Sequence, residues 1–202
     1  MLRRRLFSKI TVAEIPYAQA VVGDIYCSDN TIVSASNYSA SGKTAVGIVI
    51  NNVSGDMRVM ALTPTQYIYG TYLTDLALEN RSTLQEALQD YDGTYNSSVI
   101  ILIGGADTLA YQCSILNISG VSGWHLGAVG EFLNWVQNKT TIDASRTSCG
   151  FSAIPVNSVI STSTEQNSES SWYYYNNATP MPNPNLPKYV SYPTYALKKI
   201  TY

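Results

Sequence analysis

The sequence predicts an α+β domain on three observations. Short strand-like runs, separated by Ser-, Asn- and Gly-rich turns, fill its first third. A capping-box pattern and apolar residues at helical spacing occupy its middle. Strand-like runs then return before the C-terminus. A chain of 202 residues is long enough to bury most of one core. We read residues 10–202 as that domain and residues 1–9 as a basic arm carrying Arg3, Arg4 and Arg5.

Taken in order, residues 9–22 read as extended, with Ile10 and Val12 in alternation and Pro16 limiting any pairing. Strands are expected at 24–27, 45–51 and 58–63. The run Ser39 to Thr44 ends in Gly-Lys-Thr, as phosphate-binding loops do. However, Asn37 stands where that motif needs its first Gly, and a strand-like run follows where it needs a helix. A hairpin turn is the expectation there. Ser82 and Gln85 form a capping box that should open a helix over 83–91, with Leu84 and Leu88 facing inward. Asn96 can cap a second helix over 97–103, ended by Gly104 and Gly105, although β-branched Val99, Ile100 and Ile101 leave a strand open. A short helix over 106–115 follows.

Val129, Phe132, Leu133 and Val136 fall at helical spacing, and 142–148 reads as another short helix. Strand candidates are 151–154, 159–162, 172–175 and 195–202. Between 178 and 195, five prolines forbid a helix and allow at most a sheet edge, so the segment reads as a long surface loop.

Composition excludes several classes. Charged residues are 13% and the net charge is −2, with no clustered basic face, so no nucleic-acid partner is expected. No apolar stretch approaches the roughly 18–20 residues of a membrane span. Arg3–Arg5 followed by Ala18-Gln19-Ala20 imitate a secretory leader, but Lys9, Glu14 and Pro16 interrupt its apolar run, and the leader is rejected. Cys27, Cys113 and Cys149 are odd in number and lack metal-ligand spacing. A reducing compartment is the simpler inference, with one bridge left open.

Chemistry is sparse. His125 is the only histidine, no serine or cysteine has an evident base partner, and carboxylates are few and scattered, although Glu165 and Glu169 could sit near one another. The expectation is a protein without catalytic residues, metal or cofactor. Sixteen tyrosines against three phenylalanines suggest either amphipathic recognition surface or strand lining. Trp172, Tyr173, Tyr174, Tyr175, Asn176 and Asn177 form the candidate ligand-binding cluster, although alternation on a strand would bury about half of them.

One stretch carries a resemblance. Gly123, Trp124 and Leu126 lead into Gly130, Glu131 and Phe132, and Ser163, Thr164 and Glu165 later precede the aromatic strand. Gly23 to Asp29 and Asp92 to Asn96 add two further motifs in the same order. This resembles the lectin-like modules of gut bacteria and their phages, with Gly127 and Ser161 departing where that pattern has Pro and Trp, and Lys198 and Lys199 where it ends in Arg. The resemblance implies a C-type-lectin-like mixed fold in which the C-terminal strand pairs with one from the N-terminal part. The Glu-Pro-Asn and Trp-Asn-Asp triplets of calcium-dependent lectins are absent, so metal-dependent sugar binding is not expected.

Two functions follow as expectations. The first is a virion protein, a head fibre or capsid decoration of a tailed phage similar to the crAss-like phages. It would be docked on the capsid by Arg3, Arg4 and Arg5, homo-oligomeric as a dimer or trimer, and would bind host or mucosal glycans. The second is a bacterial surface adhesin or fimbrial-type binding module.

Overall fold

A computed structural model describes residues 12–70, 74–76, 78–177 and 179–202. The arm with Arg3, Arg4 and Arg5 lies outside the described residues.

The longest strand pair forms where the apolar runs are most continuous. β3 (Ala45–Val53) and β4 (Asp56–Ala61) make an antiparallel hairpin closed by Ser54 and Gly55. Both turn residues have positive φ, 51° and 83°, the two-residue geometry whose twist matches that of the strands. Around this hairpin assembles a six-stranded antiparallel sheet. Its order is β2 (Ile32–Val33), β1 (Ile25–Cys27), β3, β4, β11 (Leu197–Thr201) and β6 (Trp124–His125). The C-terminal strand therefore lies beside β4 from the N-terminal part, Leu197 opposite Met60 and Thr201 opposite Asp56.

Side chains alternate across this sheet and build two cores. Val49, Met57 and Val59 face α3 (Gly93–Gly104) and α4 (Leu109–Ser114), packing with Ile100, Leu109 and Cys113. Ile48, Ile50 and Met60 face α5 (Val129–Gln137), α6 (Lys139–Ser148) and a second antiparallel sheet of β7 (Ser158–Glu165), β8 (Ser170–Asn176) and β9 (Met181–Pro187). At the centre of this core Phe132, Trp135 and Tyr174 meet edge to face, with centroids 5.8 to 6.2 Å apart. Each such pair contributes about 0.5–1.5 kcal/mol beyond its burial. The remaining elements are α1 (Tyr38–Ser41), α2 (Leu84–Leu88), and β5 (Thr65–Ile68) paired with β10 (Ser191–Thr194).

Several expectations need correction. The Gly-Lys-Thr segment is not a hairpin turn: β2 and β3 each pair with β1, and α1 with Gly42 at φ 65° makes the crossing. Lys43 is committed to Glu14 and Asp29, at 2.7 and 2.6 Å. The capping box of α2 sits one residue later than expected, on Thr83 and Glu86, and buries Ala87 while Leu84 is exposed. Asp92 caps α3 by accepting the Tyr95 N–H at 3.0 Å; Asn96 lies one turn inside, buried. Residues 151–154 form no strand.

The Pro-rich segment is not a loop. It supplies β9, an edge strand of the second sheet, and β10, because prolines on an edge remove no ladder hydrogen bond that a neighbour requires. Cys27, Cys113 and Cys149 are all free thiols, so no bridge forms. Among the described residues no helix is long and apolar enough to cross a membrane.

Candidate functional site

The motif residues converge on one buried polar hub. Glu131, in the first turn of α5, accepts the Ala128 N–H at 2.9 Å and the Gly93 N–H at 3.2 Å, tying α5 to the start of α3. Its other oxygen takes Arg58 Nε at 2.6 Å, and His125 Nε2 lies 3.3 Å from both oxygens. Burial by itself pushes the Glu131 pKa up. The His125 bond, the Ala128 N–H and the Arg58 charge outweigh it and hold the carboxyl below its usual range. His125 is thereby placed as a structural partner, buried in β6.

The Ser-Thr-Glu segment completes the hub from β7. Thr164 Oγ1 accepts the Val129 N–H at 2.9 Å, capping α5, and donates to Asp90 Oδ2 at 2.7 Å. Ser163 N–H donates to Gly127 O at 2.8 Å. Asn96 donates to Asp90 at 2.8 Å and to Ser163 Oγ at 3.3 Å. Gly130 has no room for a side chain, since a Cβ there would stand 2.5 Å from Asp90 O. These contacts bring Gly130, Glu131, Ser163 and Thr164 together where α5 and β7 meet, while Leu126 is held to Ser97 of α3 through its backbone and Trp124 Nε1 donates to Val121 O. Gly123 enters the turn at φ 80°.

Glu165 is built differently. It is 1% exposed, and Oε1 is in direct contact with Lys188 Nζ and accepts the Leu76 N–H at 3.3 Å. Among the described residues its Oε2 has no hydrogen-bond partner. Here burial wins: it raises the Glu165 pKa and lowers that of Lys188. Lys188 also donates to Thr74 O at 3.1 Å, and its Nζ stands 5.8 Å from the Tyr69 ring centroid.

Beside the hub, at the connection from α2 to α3, a surface groove crosses Asp90, Tyr91 and Asp92. One end is a cavity of about 230 Å³ walled by Leu78, Glu79, Arg81, Tyr95 and Asn96, with Glu165 at its wall. The other end, about 410 Å³, reaches Asp56, Arg58, Gln89 and Lys199; Arg81, Asp90 and Asp92 belong to both. Most of these positions were not singled out from sequence. Asp92 was marked only as part of a turn, and Arg58, Arg81 and Lys188 are isolated cations with no local pattern.

The aromatic cluster divides as a strand divides. Trp172, Tyr174 and Asn176 are buried, so they form core and not a ligand surface. Trp172 Nε1 donates to Arg81 O at 2.6 Å, Tyr174 OH to Val129 O at 2.9 Å, and Asn176 Nδ2 to Ile154 O at 3.0 Å. Tyr173 and Tyr175 are half-buried on the opposite face, and Asn177 is exposed. Tyr173 lies opposite Ser161 and Asn183, and Tyr175 opposite Val159 and Met181. Glu165 and Glu169 do not share a site; Glu169 lines a separate cavity with Asn167, Asn185 and Tyr189.

Among the described residues no group of three His, Cys, Asp or Glu side chains could hold a metal ion. Burial raises the Cys27 and Cys149 thiols to about 11, so both stay protonated near neutral pH.

No protein-family model matches the chain, and no curated protein matches its sequence. Among solved structures the chain is similar to a fimbrial protein from Bacteroides ovatus, with a TM-score of 0.68 and 16% identity, over 91% of this chain and 49% of that one. The chain thus spans about half the length of that protein. At this identity the likeness shows the fold alone: helices packed with antiparallel sheets, in the α+β class.

Proposed function

We propose that this chain is a non-enzymatic binding module of a bacterial surface appendage, of fimbrial type, built on a C-type-lectin-like fold. The observation that carries the reading is the likeness of nearly the whole chain to half of a fimbrial protein. The lectin-like element rests on the ordered motifs, whose residues knit β6, α5 and β7 into one hub. Glycans are the ligand class, met by tyrosine rings and amides: Tyr173, Tyr175, Asn177 and Asn183 on the outer face of the second sheet, and the groove at Asp90–Asp92. Assembly as a dimer or trimer would multiply weak single sites into firm attachment.

The virion reading, with capsid docking by Arg3, Arg4 and Arg5, depends on residues outside those described and draws no support from the comparison. One experiment separates the two. Mass spectrometry is run on purified phage particles and on cell envelope from the same culture. The expected result is recovery of this chain in the envelope fraction. Recovery in particles at a fixed ratio to the capsid protein would return the head-fibre assignment.

A further inference from the structure

We infer that Lys188 and Glu165 form a self-modification site, where the lysine amine and the glutamate carboxyl condense into an intramolecular amide fastening β7 to the end of β9. The inference goes beyond the binding-module reading and does not depend on it.

Both side chains are enclosed, with 0% of either exposed, and Lys188 Nζ touches Glu165 Oε1. Each is held from its backbone outward. Lys188 N–H donates to Glu169 O at 3.1 Å, Lys188 O accepts the Gly70 N–H at 3.2 Å, and Glu165 O accepts the Arg81 N–H at 3.0 Å. At the tips, Thr74 O anchors Nζ and the Leu76 N–H anchors Oε1. Two reacting groups fixed in contact meet in a unimolecular step, which raises their effective concentration by orders of magnitude. A buried lysine–carboxylate contact is ordinarily only an ion pair. What distinguishes this one is complete exclusion of water, the solvent that keeps free carboxylates and amines ionised and therefore inert toward each other.

Burial raises the Glu165 pKa and lowers that of Lys188, toward the neutral acid and neutral amine that condensation requires. Nζ passes one proton to the carboxylate, and its freed lone pair closes on Cδ. The charge that develops on Oε1 is met by the Leu76 N–H at 3.3 Å. A second Nζ proton joins the first on Oε2, the Cδ–Oε2 bond breaks, and one water leaves. The amide nitrogen keeps the third proton, and no other reactant is consumed. Two buried charges disappear in the process, which removes the cost of their desolvation. The ion pair is the state in which the chain folds and the amide its later product; the acidity of Glu165 belongs to the first state.

The test is mass spectrometry of the purified full chain, incubated folded and then denatured, before and after trypsin digestion. The intact chain should weigh one water less than its sequence. Trypsin should fail to cut after Lys188 and release residues 147–198 as one peptide, one water light, in place of 147–188. That peptide contains no aspartate, so its water loss is distinct from the cyclisation open to Asp92–Gly93. Fragmentation should place the bond between Glu165 and Lys188. Lys188→Met should keep its full sequence mass, and the wild-type mass decides the matter even where that variant fails to fold. A wild-type chain at full sequence mass, cut normally after Lys188, would overturn the proposal. So would a water loss mapping to another peptide, a bond to Glu169, or a loss that persists in Lys188→Met. None of these outcomes bears on where the protein is displayed, so the surface-module reading stands or falls separately.

Discussion

Glu131 and Glu165 are both buried carboxylates, 3% and 1% exposed, each beside a buried cation, yet their acidities move in opposite directions. Glu131 collects Arg58, His125 and two backbone N–H groups. Glu165 has Lys188, one backbone N–H and, among the described residues, no partner for Oε2. Both are buried, so the donors and charges around each decide which state folding favours: His125, Ala128 N–H and Arg58 outweigh burial at Glu131, whereas at Glu165 Lys188 and one N–H do not, and Asp75 adds like charge. The first site is a completed structural joint. The second is incomplete, and it adjoins the cavity.

The largest expected effect comes from breaking the completed joint. Glu131→Gln should destabilise the fold by about 3 kcal/mol in urea denaturation, because it removes the buried charge that faces Arg58 Nε, His125 and two backbone N–H groups and leaves Arg58 with Asp56 alone. Lys188→Met should cost less, about 2 kcal/mol, since Glu165 already leans toward its neutral form and can protonate when its partner is removed. Measuring both variants in one denaturation series sharpens the comparison. A larger loss for Lys188→Met would show that the two sites differ in some way other than donor number.

Acid titration probes the same contrast with opposite signs. The folded pKa of Glu131 is depressed, so its contribution is present above the ordinary value of 4.5 and lost as pH falls below it. The folded pKa of Glu165 is raised, so folding favours its protonated form, and its unfavourable contribution grows as pH rises through and above 4.5. Wild-type stability should therefore fall more steeply below pH 4.5 than that of Glu131→Gln. Glu165→Gln, if it folds, should lose the opposing slope. Equal acid slopes in wild type and Glu131→Gln would break the assignment.

The smallest effect belongs to the cap that joins the two sites. Thr164→Val removes the acceptor for Val129 N–H together with a donor to Asp90 and should cost about 1–2 kcal/mol, with α5 first to lose amide protection in hydrogen exchange.

Much of this architecture is legible in local pattern. The near-continuous apolar runs of β3 and β4 reflect strands covered on both faces, the helical spacing of Val129, Phe132 and Val136 reflects one face of α5 turning inward, and both patterns are written in the chain. Alternation along a strand foretold that half of the 172–177 cluster would be core, without telling which half. The capping of α2 slipped by one residue because Ser82 and Thr83 offer equivalent hydroxyls, and only packing of Ala87 sets the register. The prolines between 180 and 193 argue against a strand locally, and only β8 and β5, brought in from elsewhere in the chain, supply the partners that make β9 and β10.

By itself, then, the sequence determined the class of fold, the helix around Glu131, the central hairpin and the return of the last strand, since each depends on neighbours a few residues apart. The tertiary structure alone decided the rest. Arg58 reaches Glu131 across 73 positions, Thr164 reaches Asp90 across 74, and Lys188 meets Glu165 only because β9 folds back along β8. Contacts between single charged side chains so far apart leave no periodic trace in the chain. The groove and the Glu165 oxygen that lacks a partner among the described residues became visible only once those residues were placed.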